Sequence, residues 1–481
     1  MMDTLNLLAA GPELILASGA IILLMLGVFT KGDGAAVTIL WLSVAVLVIA
    51  GAFAYAQPGK AELAFGGVFI SDGVSRFAKI FMFFGSAAVL ILSRDYMIRA
   101  KSMLFEFPVL VLFAVLGMAM MVSSADLISL YVGLELQSLA LYVLAAFRRD
   151  STRSTEAGLK YFVLGALSSG LLLFGSSFVY GFAGSTEFTT IAAALKDGNA
   201  NIGFLLGLAL VVAGLAFKIS AAPFHMWTPD VYEGAPTPIT AFFATAPKVA
   251  AAVLLVRVLY GAFGEASDHW WQIIWFLSAA SMLVGGIAAI GQTDIKRLMA
   301  YSSIGHMGFA MLGLAAGTAK GAESVLIYLA IYLVMNIGVF AFILSMRRDG
   351  MQVTKIDDLA GLWKADGLST FCLGALMFSL AGIPPLAGFW AKFFVFQAAV
   401  DAGLIWLLVV AVVGTVISCF YYLRIVKIMV FDEPADAFDG PMLIEHRLAL
   451  FASAALVFAF VVGGLGVPEM AAEAASVFAK K

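Results

Sequence analysis

The sequence predicts an all-α polytopic membrane protein of about fourteen transmembrane helices, with two inverted five-helix repeats that each contain a broken helix. Three observations predict it. The chain is 62% hydrophobic and only 12% charged, whereas a soluble domain carries about 25% charged residues. Apolar windows of about 20 residues, the length that crosses a ~30 Å hydrocarbon core, recur from end to end. Proline cuts two of those windows, at Pro223 and at Pro384-Pro385.

Taken in order, the opening MMDTLNLLAAGPELILASG shows no basic n-region and no small-residue cleavage site before its apolar run. It reads as a retained helix, not a signal peptide. Spans follow at roughly 12–30, 35–56 and 72–93, an N-terminal group within 1–104. The next five, near 105–123, 126–147, 154–182, 202–222 and 236–263, form a unit over 105–263. Its broken member, the seventh helix, runs through GLAFKISAAPFHMWTPD. A second unit, 269–430, holds spans near 269–291, 294–317, 321–346, 366–401 and 403–430. The span 366–401 is too long for one straight helix, and Ile383-Pro384-Pro385 divides it. A last span near 446–467 and a tail complete 431–481. Proline removes a backbone donor and clashes one turn back, and in lipid the freed groups need water or protein partners. The two breaks lie five helices apart, an odd offset, so tandem five-helix units enter the membrane from opposite faces.

Charge sets the orientation. With the N-terminus outside, the inside loops hold Arg94, Arg99, Lys101, Arg148, Arg149, Arg153, Lys296, Arg297, Arg347, Arg348, Lys355, Lys364, Arg424, Lys427 and Arg447. The outside loops hold little beyond Lys60, Lys196 and Lys320, a positive-inside bias that also places the Lys480-Lys481 end outside. The longest polar connections, about 347–365 and 431–445, leave no room for a soluble catalytic domain. A net charge of −3 gives no reason to expect nucleic acid as a partner. Cys372 and Cys419 sit in apolar segments with no CxxC and no cluster or zinc spacing. No strand followed by G-x-G-x-x-G offers a flavin or NAD site. Gly463-Gly464-Leu465-Gly466 reads as packing near the end of an apolar helix.

Against this background several ionisable residues are kept within spans, and six are singled out: Glu135, Lys160, Lys218, Lys248, His306 and Lys392. Each costs roughly 2.5 kcal/mol or more at mid-membrane. Blander readings stay open. Lys160 lies near a helix end and is able to snorkel, His306 to act as a neutral hydrogen-bonding residue, and Glu135 to pair with one lysine as a structural bridge. The functional reading is proton handling, because burial drives a lysine toward its neutral form and a nearby carboxylate restores the charge. A row of lysines with one histidine and one glutamate suits protons. Sodium would call for carboxylates and carbonyls instead. Lys218, beside the first break, is the group that water entering the break is expected to reach.

At these residues the chain resembles a known family. PFHMWTPDVYEGAPTPITAFFATAPKVAA, Pro223 to Ala252, is similar to the signature of the antiporter-like membrane subunits of proton-pumping NADH:quinone oxidoreductase, respiratory complex I. Glu-Gly-Ala-Pro-Thr-Pro followed by Ala-Pro-Lys, and Pro12-Glu13 near the start, look most like its subunit N branch, the homologues of mitochondrial subunit 2. The resemblance implies a proton-translocating, non-redox subunit of that enzyme. Glu135 then couples to a lysine, Lys218 sits at the seventh-helix break, Lys248 connects, His306 relays and Lys392 lies near the outer exit, with Lys160 a weaker match. It implies no cofactor and no metal on this chain. NADH, FMN, iron–sulfur clusters and quinone belong to partner subunits, beside further antiporter-like and small membrane subunits in a bacterial inner membrane. Two alternatives remain open: a subunit of an Mrp-type cation/proton antiporter, and a passive membrane scaffold of a redox complex.

Overall fold

The computed structural model describes residues 6–30, 33–196 and 201–479. The first five residues of the expected opening segment and the expected Lys480-Lys481 end lie outside the described residues. Hydrocarbon offers a bare peptide group no partner, so an apolar chain satisfies its backbone within helices. Among the described residues, 12 helices are long and apolar enough to cross a membrane, and Glu106–Val122 and Gly367–Ala381 are shorter apolar helices.

The chain begins with α1 (Gly11–Phe29), whose Pro12 occupies a first-turn position that lacks an intrahelical donor role, and α2 (Asp33–Ala56). Two short antiparallel strands, β1 (Glu62–Ala64) and β2 (Phe69–Ser71), pair with Glu62 opposite Ser71 and lead into α3 (Gly73–Arg99). Asp72 and Ser75 close a capping box there. Next come α4 (Glu106–Val122), α5 (Leu127–Ala145), started by the Asp126 carboxylate, and α6 (Thr152–Ala183). At 32 residues α6 is about 48 Å long, well beyond a ~30 Å hydrocarbon core, so its ends reach the headgroup level. A short α7 (Phe188–Lys196) precedes the first break.

That break separates α8 (Ile202–Ile219) from α9 (Trp227–Gly234), after which α10 (Thr237–Phe243) and α11 (Ala246–Arg257) continue into a π turn. Then follow α12 (Ser267–Ile290), α13 (Ile295–Ala315) and α14 (Ala319–Ser345). A small hairpin of β3 (Arg347–Arg348) and β4 (Met351–Gln352) and a single-turn α15 (Leu362–Ala365) occupy the connection read from the sequence as simply polar. The span 366–401 is indeed two helices, α16 (Gly367–Ala381) and α17 (Ala387–Asp401). The chain closes with α18 (Ile405–Phe431), α19 (Ile444–Ala459) and α20 (Val467–Ala475). Gly463-Gly464-Leu465-Gly466 is not helix packing. Gly464, Leu465 and Gly466 take φ of 69°, 55° and 74°, a left-handed turn that redirects the chain into α20.

The middle of the molecule is α10–α11, α13 and α14, buried almost entirely. Around them α1, α6, α18 and α19 turn Leu, Val, Ile and Phe outward, as lipid-facing helices do. Contacts between helices are made close by missing side chains. A Cβ at Gly285 of α12 would come within 2.5 Å of the Gly305 nitrogen of α13, and one at Gly117 of α4 within 2.4 Å of the Gln137 nitrogen of α5. Such backbone approach replaces the hydrophobic drive that lipid cannot supply.

Candidate functional site

The site is organised by the two breaks. At the first, α8 ends when Ser220 turns left-handed at φ 64°, with Ser220 and Ala221 donating their N–H groups to Phe217 and Ala216 carbonyls. Pro223 adds no donor, and the loosened segment is held by side chains from elsewhere. The indole of Trp227 donates to the Phe217 carbonyl at 3.0 Å, and the Ala222 N–H donates to Ser281 of α12 at 2.8 Å. At the second, α16 ends at Gly382, φ 88°. The Ala222–Pro223 and Pro384–Pro385 bonds are both cis.

Lys218 does lie beside the first break, in the last turn of α8, and a second lysine, Lys248, bonds to the broken turn itself. From α11 its ammonium donates to the Ser220 hydroxyl and to the Ile219 carbonyl at 3.3 Å. Thr228 of α9 donates to the same Ser220 oxygen at 2.6 Å. Lys218 instead leaves α8 toward α5, where it donates to Ser138 Oγ at 2.7 Å. The Ser138 hydroxyl in turn donates a hydrogen bond to the Leu134 carbonyl at 2.6 Å. Glu135 lies one turn before Ser138 on α5, half-buried, and makes no ion pair with Lys218 within 4.0 Å. At the second break the pattern of Lys248 recurs: Lys392 of α17 donates to the Ala381 carbonyl that the helix end frees, at 2.8 Å. Its stem lies across Gly382, where a Cβ would meet Lys392 Cδ at 2.8 Å, so that residue needs both glycine's backbone and its missing side chain.

Burial of these three ammonium groups is nearly complete: Lys218, Lys248 and Lys392 are 8%, 1% and 3% exposed. Aromatic faces supply part of the lost solvation. Lys248 lies 5.3 Å from the Trp227 ring, Lys392 4.5 Å from Phe309 and Lys218 5.8 Å from Tyr142. His306 stands between the lysine sites on α13. Its Nδ1 is 2.6 Å from Tyr328 OH and its Nε2 is 3.0 Å from Tyr422 OH, which also meets Ser302 at 2.5 Å.

Lys160 is placed differently. It sits near the start of the overlong α6, its side chain 42% exposed, and pairs with Asp230 of α9 and Glu156, each at 2.7 Å. Asp230 and Glu233 both accept from Arg297 at 2.8 Å. The buried Lys296 donates to the Glu233 and Ala235 carbonyls at 2.8 and 2.6 Å, a cation on the C-terminal end of α9. The sequence reading treated Lys296 and Arg297 as loop charges and passed over Asp230 and Glu233. Their close spacing, D-x-x-E just before Gly-Ala-Pro, was the available signal.

The family described as NADH:quinone oxidoreductase/Mrp antiporter, TM, matches residues 124–418, which contain both breaks and all six of these residues. NADH-quinone oxidoreductase subunit N of Rhodobacter capsulatus is 56% identical over 97% of each chain. A chain of respiratory complex I from Thermus thermophilus, solved with bound aureothin, superposes with a TM-score of 0.83 at 35% identity, covering 96% of this chain and 99% of that one. A chain of the Mrp complex from Dietzia sp. DQ12-45-1b shares the fold, with a TM-score of 0.87 at 22% identity over 98% of each. The chain belongs to the subunit N family of NADH-quinone oxidoreductases, within the wider NADH:quinone oxidoreductase/Mrp antiporter membrane family.

Proposed function

We propose that this chain carries protons across the membrane as a subunit of the membrane arm of complex I, through Lys218, Lys248, His306 and Lys392, with Glu135 as the carboxylate that biases Lys218. One observation carries this reading. The chain holds two kinds of buried cation. Lys79 and Arg257 each have a carboxylate, Glu13 at 2.7 Å and Asp72 at 2.6 Å. Lys218, Lys248 and Lys392 are given only hydroxyls, carbonyls and aromatic faces; Lys296, buried on two carbonyls as well, differs in sitting at the end of α9 beside the Asp230–Arg297 charge cluster rather than at a helix break. A buried lysine without a carboxylate at hand has its charge supported only by dipoles and aromatic faces, so a charge arriving or leaving nearby has a large effect on it, which is what a proton carrier requires. Lys160, tied to two carboxylates, serves as a surface anchor for α9.

Redox chemistry, with NADH, FMN, iron–sulfur clusters and quinone, belongs to partner subunits, and this chain binds none of these groups. The subunit spans a bacterial inner membrane beside other antiporter-like and small membrane subunits, with both termini on the periplasmic side. The units 105–263 and 269–430 are the inverted repeats, a reading supported by a break and a lysine-held carbonyl in each.

The test is Lys248→Met in the assembled complex, which keeps the stem and removes the titratable end. NADH-driven proton pumping in proteoliposomes and quinone turnover should fall together by roughly tenfold, the rate effect of ~1.4 kcal/mol on a barrier. Pumping at wild-type levels in an intact complex would refute the relay. Pumping that survives only with sodium present would move the reading to the Mrp class.

A further inference from the structure

The face that carries the clustered arginines and lysines contains a cavity of about 420 Å³ that the proton row does not use. Three separate elements wall it: the last turn of α3, the α5–α6 connection, and the β3–β4 hairpin. Each contributes cations, Arg99 and Lys101, Arg148, and Arg347. Positive charge on one face of a membrane protein is ordinary. The convergence of four cations on one cavity, and the disposition of the nearby acids, are not. Asp95 is taken by Arg99 and lies 3.9 Å from Arg347. The Asp439 carboxylate accepts the N–H groups of Asp349 at 2.9 Å and Gly350 at 2.7 Å, and it is near enough to Arg347 and Arg99 to feel their charge, so it offsets those two cations and leaves Lys101 and Arg148. Among the described residues, Lys101 and Arg148 therefore meet no carboxylate within 4.0 Å.

Three of the carbonyls that end α3 are already engaged: the Ala100, Lys101 and Ser102 N–H groups donate to Tyr96, Ile98 and Met97. An anion here would be held by the four cationic side chains, against the weak negative end of the α3 dipole. The cavity lies where α3 ends and the chain passes from α5 to α6, at headgroup depth for helices of this length. Its rim includes Ala100 and Met351, the latter 69% exposed, an apolar step on which an acyl chain is able to rest.

We propose that this cavity binds the phosphate headgroup of an anionic phospholipid in the leaflet that bathes this face. A phosphodiester oxygen accepts charge-assisted hydrogen bonds from ammonium and guanidinium groups. Basic pockets between membrane helices attract such headgroups through the same forces. The apolar step and the depth favour a lipid over free phosphate.

The experiment uses the assembled, delipidated complex with an environment-sensitive fluorophore on Met351→Cys. It is titrated with mixed micelles of phosphatidylglycerol, mixed micelles of phosphatidylcholine, inorganic phosphate, and an acidic peptide. Phosphatidylglycerol should saturate the signal at concentrations about thirtyfold below phosphatidylcholine, the effect of two cations beside an anionic headgroup. In the Lys101→Gln, Arg148→Gln double variant that advantage should vanish, and in Lys101→Arg, Arg148→Lys it should remain. Equal responses to the two lipids, an undiminished response in the glutamine variant, or saturation by phosphate or peptide as readily as by lipid would each overturn the proposal.

Discussion

At the scale of single residues, buried cations with a carboxylate and buried cations without one should respond differently to substitution. Lys79 and Glu13 neutralise each other at 2.7 Å, both shielded from solvent. Lys79→Met would leave Glu13 as an uncompensated buried charge, a cost of about 3–5 kcal/mol. The yield of assembled complex should fall sharply. Lys248→Met orphans no charge, so its assembly should stay near wild type while pumping collapses; blue-native gels against pumping assays check both. A third residue acts outside the membrane. The N–H groups of Gly350 and Asp349, with help from Arg347, hold the Asp439 carboxyl below its ordinary value. Because the folded value lies below the unfolded one, this clamp on the β3–β4 hairpin is complete above the usual carboxylate range and is lost as pH falls through the lowered value. A label on Met351→Cys should keep its anisotropy down to about pH 4 and lose it only at lower pH, and Asp439→Asn should show low anisotropy throughout. Glu135, Lys218, Lys248, His306 and Lys392 were legible in the sequence because a charge in an apolar run is rare and costly. Ser138, Ser220, Tyr328 and Tyr422, which hold them, were not. A hydroxyl in a span is common and is satisfied by its own helix, so only the neighbour it meets in space reveals its use.

At the scale of elements, the helices were readable because membrane length and apolar composition fix where a helix must run. Proline marked both breaks for the same reason. What stayed hidden was local geometry that hydropathy does not encode: the β1–β2 and β3–β4 ribbons, the eight-residue α9, and the left-handed turn at Gly464-Leu465-Gly466. The tight seams between helices belong to this scale too. Leucine at Gly285 would drive its Cβ within 2.5 Å of the Gly305 nitrogen and 2.7 Å of the Tyr301 carbonyl oxygen, both backbone atoms that cannot step aside. Gly285→Leu must part α12 from α13, a cost of typically 1–3 kcal/mol or more. Thermal unfolding of the purified complex should move to lower temperature, and leucine at Gly374, which has open space before it, should move it far less.

At the scale of the whole molecule, orientation is checked by thiol labelling. Lys60 and Asp349 are both exposed, on the expected outer and inner faces. A membrane-impermeant maleimide should modify Lys60→Cys in intact spheroplasts and Asp349→Cys only after lysis; the reverse pattern would invert the topology. The odd spacing of the breaks was enough to suggest paired units, but not which side chains join α6, α9 and α13. The charge cluster on α9 is one such join. Asp230 grips Lys160 of α6 with one oxygen and Arg297 of α13 with the other. A swing of α6 past α13 would exchange these contacts for water, yet the three side chains are already 31–42% exposed. Ties of that kind set the resting register of the helices without locking it, and the Asp230 carboxylate is one joint through which a disturbance at α6 would be felt at α13.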